Sequence, residues 1–211
     1  MKDSTRIILR IDCCESEDKS ISHQLANELS DAIRAQHHSV KVINRDLTEG
    51  VSPVSAAWVE AENASEEYRT GLQRSLLSES DALIAEMQVA DDIIINMTIN
   101  QAGLPPSLKS WLNQIRRNAL TYRTDSTGKS TGLLENKWGF VIVISGQGQN
   151  PKDGEQAADY IRAALRQIGI FDVSVIDARR APENDEHVID DVREQINTIL
   201  FRRDDKANAA E

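Results

Sequence analysis

The stretch Asp92-Ile-Ile-Ile-Asn-Met97 is the clearest strand in the sequence, and it decides the fold. Its apolar content is nearly continuous, which is typical of a strand buried on both faces of a parallel sheet. A long helical stretch, residues 68–89, comes directly before it. A buried strand next to a long helix indicates the α/β class of protein.

Apolar runs alternate with helical patterns along the rest of the chain. In the first helical stretch Leu25, Leu29 and Ile33 recur four residues apart, which places them on one helix face. The run Ser39-Val-Lys-Val-Ile-Asn44 alternates and is β-branched, as a strand should be. We predict strands at residues 6–11, 39–44, 92–97, 138–145 and 171–177, and helices at residues 20–36, 54–62, 68–89, 105–117, 154–168 and 183–203.

Strands separated by helices predict right-handed crossovers and a parallel sheet covered on both faces. Because the pattern contains no sixth strand, we expect the flavodoxin-like doubly wound sandwich, a five-stranded sheet of order 2-1-3-4-5. Residues 1–203 would form a single domain, with a polar C-terminal tail at 204–211. In this fold a ligand binds at the carboxyl ends of strands one, three and four, where the strand order reverses.

Composition excludes several classes of function. The 211 residues carry a net charge of −10, which argues against binding to nucleic acid or to an anionic membrane surface. An anionic cofactor is still possible, because the free N–H groups of a helix N-terminus act locally. The two cysteines are adjacent, at Cys13 and Cys14, and the opening residues lack the apolar run of a secretion signal, so we expect a cytoplasmic protein. No histidine and cysteine share a metal-ligand spacing, and we predict no metal site.

Three loops should meet at the predicted ligand site, and the first of them, residues 12–22, suits a phosphate. It lacks the glycine-rich dinucleotide motif, but Ser20 and Ser22 bracket the expected start of the first helix. Their hydroxyls and the free N–H groups there could converge on a phosphate. The alternative is simple helix capping by Ser20, and these residues alone support both interpretations equally.

The other two loops offer polar and flexible groups. Asn100 and Gln101 carry amides that suit the polar edge of a heterocycle, and glycines in Ser145-Gly-Gln-Gly148 would let backbone amides approach a flat ligand. Ordinary turn chemistry explains both loops as well.

Several longer stretches match a known family. They are Ser20-Ile-Ser-His-Gln-Leu25, Ser80-Asp-Ala-Leu-Ile-Ala-Glu86 with Ala90-Asp-Asp-Ile-Ile-Ile95, Gly103-Leu-Pro-Pro-Ser-Leu-Lys-Ser-Trp111, Thr121-Tyr-Arg123 with Gly132-Leu133, and Ile168-Gly-Ile-Phe-Asp-Val173. On these stretches the chain resembles the FMN-dependent NADH-azoreductases, homodimeric flavodoxin-like quinone and azo reductases.

The resemblance implies the residues that would hold FMN. Ser20 and Ser22, assisted by the position of Cys14, would bind the phosphate. Two loops would contact the flavin ring: Ile99, Asn100, Gln101 and Ala102 in one, and Ser145, Gly146, Gln147 and Gly148 in the other. The ring loops depart from the family's usual Pro-Met-Tyr-Asn-Phe and Ser-Arg-Gly-Gly, because this chain has neither aromatic residue and no arginine there.

The resemblance also implies an activity. A homodimeric FMN oxidoreductase of ping-pong type would pass hydride from NADH or NADPH through the flavin to a quinone, azo or nitro acceptor. No side chain suggests itself as a catalytic acid or base. The altered ring loops motivate an alternative, a diverged relative that has lost flavin and acts as a binding or regulatory protein.

Overall fold

The computed structural model describes residues 5–13, 19–99, 103–145, 151–178 and 186–209, and strands and helices alternate along them. The strands are β1 (Arg6–Asp12), β2 (Val40–Asp46), β3 (Asp92–Ile99), β4 (Tyr122–Thr124), β5 (Ser130–Gly132), β6 (Trp138–Ser145) and β7 (Asp172–Asp177). The helices are α1 (Lys19–Ala35), α2 (Ala56–Asn63), α3 (Gly71–Val89), α4 (Pro106–Gln114), α5 (Pro151–Gln167) and α6 (Glu186–Ala209), with a 3-10 turn at Glu66–Tyr68.

Five of these strands form one parallel sheet of order β2-β1-β3-β6-β7. Numbered among themselves, they have the order 2-1-3-4-5, so the predicted flavodoxin-like fold is confirmed. The chain leaves β1 toward β2 on one side and returns to place β3 on the other. The reversal of strand order therefore lies between β1 and β3, at the carboxyl edge of the sheet.

Two helix layers bury the sheet. On one face α1 and α6 pack together, with Leu25, Leu29 and Ile33 against the same cluster as Val192 and Ile196. Helices α3, α4 and α5 cover the other face. Alternate side chains of β3 enter opposite clusters, which explains why the sequence of this strand is apolar at nearly every position.

Residues 118–136 differ from expectation, because this predicted loop contains the antiparallel hairpin of β4 and β5. Each strand is three residues long, polar and largely exposed, so it carries no hydrophobic alternation for the sequence to show. The turn is closed by Asp125 Oδ1, which accepts hydrogen bonds from the hydroxyl and N–H of Thr127 and from the N–H of Lys129. These bonds, the Thr127 hydroxyl first, lower the pKa of Asp125.

Helix ends also differ from expectation by a few residues. Helix α5 begins at Pro151 rather than Gly154, because proline is well suited to a first helical position. Helix α4 ends at Gln114, before the predicted end at Arg117. Helix α6 continues to Ala209, past Arg203, where polarity of the sequence suggested an end. The predicted single domain stays a prediction.

The hairpin is fixed to the main body by two glycines. Gly132, in β5, lies directly against the backbone of Ile168 and Gly169 at the end of α5. Gly169 has a φ of +106°, a conformation that glycine adopts without strain, and it too lacks room for a Cβ. The Leu134 N–H donates to the Ile168 carbonyl at 2.8 Å. The close contact therefore requires a glycine on both sides.

A buried carboxylate connects the last helix to the sheet. Asp92, the first residue of β3, is fully buried and accepts hydrogen bonds from Nε and Nη2 of Arg6, both at 2.8 Å. Arg203 of α6 lies 3.2 Å from the same carboxylate and sits over the Trp138 ring. Two guanidinium groups thus balance one buried charge, as burial of a carboxylate requires.

We predict that Gly132→Ala will lower the free energy of unfolding by about 1–3 kcal/mol, because the new methyl group must displace backbone rather than a side chain. Urea denaturation measures this. Gly71→Ala, at the first turn of α3 with open space around it, is the matched control and should leave stability unchanged or raise it by about 0.4–1 kcal/mol. Equal effects of the two substitutions would contradict the packing argument.

We also predict that Arg203→Met will destabilise the fold by about 1–3 kcal/mol, because it removes one of the two guanidinium groups that compensate the buried charge of Asp92. Faster amide exchange should be confined to α6, since Arg6 still binds Asp92. Arg202→Met, at the exposed neighbouring position, is the control and should change neither the stability nor the amide exchange. Exchange that accelerates throughout the sheet would show that Arg203 does more than hold α6.

Candidate functional site

The carboxyl ends of three strands meet at one edge of the sheet. In the register of the parallel pairs, Asp12 of β1 lies beside Asn96 of β3, and Ile99 of β3 lies beside Ser145 of β6. The segments that follow these strands are the loops predicted to bind a ligand. The structure therefore brings the strand ends from which the three predicted loops start to the same edge, at the reversal of strand order.

A buried polar cluster lies under this edge, on the face that α1 covers. Its members are Arg10 of β1 and Asn96 of β3, which are buried, and Asp12 of β1, whose side chain is 13% exposed. Arg10 Nε donates to Asp12 Oδ1 at 3.0 Å, and Asn96 Nδ2 donates to the same oxygen at 3.2 Å and to the Ser22 carbonyl at 3.0 Å. The cluster thus joins the end of β1, the middle of β3 and the first turn of α1.

Helix α1 begins at Lys19, one residue earlier than expected. Ser20 and Ser22 therefore lie within the first turn, and Ser20 does not precede the helix as a capping residue would. Ser22 is 1% exposed, and its carbonyl is held by Asn96. The first turn presents N–H groups that have no partner inside the helix, which is the usual basis of anion binding at such a position.

Most of the predicted ligand contacts lie outside the described residues. This holds for Cys14, Asn100, Gln101, Ala102, Gly146, Gln147 and Gly148, and for the side chains of Ser20 and Ser145. Ile99 is described, and its side chain is 1% exposed in the core shared with α3 and α4. Contact between Ile99 and a ligand would therefore involve its backbone. The assignment of all these residues to a cofactor stays a prediction.

A cavity of about 450 Å³ lies between α4 and α5. Gly103 and Leu104, just after residues 98–102, form one side, and Lys109 of α4 lies beside them. Asp153, Gln156 and Tyr160 of α5 form the other side. Its size falls in the range of small-molecule sites. Sequence reasoning missed these residues, although the spacing of 153, 156 and 160 places them on one helix face.

Two aromatic residues, Trp58 and Tyr122, lie in different surroundings. Trp58 is buried with Ala61 and Leu77, and the Arg117 guanidinium lies over its ring at 6.0 Å. Trp58 is thus a core residue. Tyr122 is half-buried in the hairpin, where Arg116 lies 5.3 Å from its ring.

The part of the chain that the structure describes contains neither a candidate metal site nor a membrane-spanning helix. No group of three or more histidine, cysteine, aspartate or glutamate side chains there could hold a metal ion. No described helix is long and apolar enough to cross a membrane.

Comparison with known proteins identifies the family. The flavodoxin-like fold family matches residues 7–200. The FMN-dependent NADH:quinone oxidoreductase 1 of Jannaschia sp. (strain CCS1) is 38% identical over 82% of this chain and 87% of its own length. The protein of the same name from Hahella chejuensis is 34% identical over 90% of this chain and 92% of its own.

Solved structures agree on the fold. The FMN-dependent NADH-azoreductase from Bacillus anthracis, in complex with FMN, superposes with a TM-score of 0.76 at 16% identity, over 94% of this chain and 99% of that one. An NAD(P)H:quinone oxidoreductase from Methanothermobacter marburgensis superposes with a TM-score of 0.64 at 13% identity, over 93% of this chain and 98% of that one. The predicted resemblance is therefore confirmed. This chain belongs to the flavodoxin-like fold family, in the group that contains the FMN-dependent NADH:quinone oxidoreductases.

Proposed function

We propose that this protein is an FMN-dependent oxidoreductase that transfers two electrons from NADH to a quinone, with azo or nitro compounds as further acceptors. The observation that carries the proposal is the 38% identity with the Jannaschia quinone oxidoreductase over 82% of the chain. The fold supports it, because the strands that precede the predicted cofactor loops end at one edge of the sheet.

The groups present at that edge fit a flavin phosphate. The first turn of α1 supplies backbone N–H groups and two serines, which together make a donor set suited to a dianion. The partly buried carboxylate of Asp12 is paired with Arg10, so it does not add an uncompensated negative charge. A protein of net charge −10 can therefore bind an anion at this place.

The groups near the ring loops fit a heterocycle. The cavity between α4 and α5 has both polar and apolar walls, including Lys109 and Tyr160.

In this proposal the chain binds and orients the cofactor. Ser20, Ser22 and the position of Cys14 hold the phosphate, and the segments Ile99–Ala102 and Ser145–Gly148 contact the ring. Bound FMN would supply the redox chemistry by accepting hydride from NADH and delivering it to the acceptor in a ping-pong sequence. The protein supplies no acid or base that we identify.

Two further features belong to the proposal. We place the protein in the cytoplasm because its two cysteines are adjacent and form no disulfide framework. We also propose a homodimer, on the resemblance to the azoreductases. The alternative of a relative that has lost flavin gains nothing from the comparisons, since the quoted relatives are named for FMN dependence.

The test of the proposal is flavin binding. We predict that the purified protein will quench FMN fluorescence, and that FMN at about 100 times its Kd will stabilise the fold by about 2.7 kcal/mol. The loaded protein should oxidise NADH with a benzoquinone acceptor. Thermal unfolding with and without FMN measures the first effect. A colourless protein with neither quenching nor stabilisation would contradict the proposal.

The second prediction concerns the phosphate. Replacing both Ser20 and Ser22 with alanine should raise the Kd for FMN by about tenfold or more, and change the Kd for riboflavin by about twofold at most, because riboflavin lacks the phosphate. Ser30→Ala is the matched control, since this buried serine of α1 donates only to the Ala26 carbonyl. Equal losses for both ligands would show that the two serines do not hold the phosphate.

A further inference from the structure

Asn96 interrupts the apolar run of β3. It is fully buried, between Ile95 and Met97, at a position of β3 that faces α1. A buried amide costs about 1–3 kcal/mol unless its polar atoms are paired, so an apolar residue would be the simpler choice for the core. Its presence therefore needs an explanation from its contacts.

The contacts of Asn96 join two separate segments. Its Nδ2 donates to Asp12 Oδ1 at 3.2 Å and to the Ser22 carbonyl at 3.0 Å. The backbone carbonyl of Asn96 accepts from the Cys13 N–H at 3.0 Å. One buried residue thus holds the end of β1 and the first turn of α1 at a fixed separation.

Arg10 of β1 supports the same arrangement. Arg10 as a whole residue is 8% exposed. Its guanidinium lies 2.9 Å from Asp12 Oδ2, and its Nη1 donates to Oδ1 of Asn27 in α1. Two links, one through Asn96 and one through Asn27, therefore connect α1 to the sheet at this end. The ion pair leaves Asp12 compensated, so its carboxylate can accept from Asn96 without opposing an anion nearby.

We propose that Asn96 is a positioning residue for the cofactor phosphate: its amide fixes the first turn of α1 against β1, so that the N–H groups and serines of that turn keep their phosphate-binding arrangement. The inference rests on the proposed function, because it concerns the FMN phosphate. Asn96 acts through Ser22 and Asp12, and the contacts do not require it to touch the cofactor. Preorganised donors bind an anion more tightly than donors that must be ordered on binding.

The test compares FMN with riboflavin. Asn96→Ala should raise the Kd for FMN by about tenfold, equivalent to about 1.4 kcal/mol, and change the Kd for riboflavin by about twofold at most. Fluorescence quenching of each flavin by the full chain measures both constants. Gln114→Ala is the matched control, because Gln114 is also a buried amide and donates to a backbone carbonyl, that of Ser52, far along the chain from α1. It should leave the ratio of the two constants unchanged.

A second variant covers the case in which Asn96→Ala does not fold. Asn96→Asp keeps the side-chain shape, removes the donor and adds a charge next to Asp12, so it should weaken FMN at least as much as the alanine variant. Failure of the unmodified protein to bind FMN would overturn the proposed function. The positioning role is wrong if the unmodified protein binds FMN and both variants have the same ratio of FMN affinity to riboflavin affinity as the unmodified protein. This includes the case in which the variants bind both flavins more weakly by the same factor.

Discussion

The burial of β3 on both faces is the constraint on which the rest of the structure depends. The helices that cover it also connect the strands and carry the chain back to the same starting edge, so its neighbours run parallel to it. β1 lies on one side of β3 and β6 on the other, and the carboxyl ends of these strands share one edge. The place where a ligand can bind is therefore a consequence of the burial of one strand.

Two polar residues interrupt this strand, and each connects a helix to it. Asp92 begins β3 and holds α6 through Arg203, while Asn96 lies four residues later and holds α1 through the Ser22 carbonyl. Helices α1 and α6 pack on the same face of the sheet. The apolar side chains bring both helices to that face, and the polar contacts fix where each helix lies along the strand, because hydrogen bonds are directional and hydrophobic contacts are not.

The sequence predicted the elements that local patterns determine. β6 was predicted with its observed bounds, because a continuous apolar run between turn residues defines a buried strand. The β4–β5 hairpin was missed, since its stability comes from Gly132 packing on α5 rather than from its own pattern. The polar cluster was also missed: Arg10, Asp12, Asn96 and Ser22 are separated along the chain and meet only when the sheet forms. Tertiary contacts of this kind leave no local periodicity.

The two ends of a bound FMN make different demands on the protein. A phosphate needs fixed donors, and here the candidate donors lie on a helix that is braced to the sheet by a buried amide. A flavin ring needs flat contact area, which many different side chains can supply. The resemblance to the azoreductases implies aromatic ring contacts at the positions that are Asn100 and Ala102 here, and such contacts contribute about 0.5–1.5 kcal/mol each beyond burial. A phosphate site held in a single arrangement can offset a loss of that size, because it reduces the ordering cost of binding. The presence of Ser20 and Ser22 together with altered ring loops is therefore physically consistent with the proposed cofactor binding.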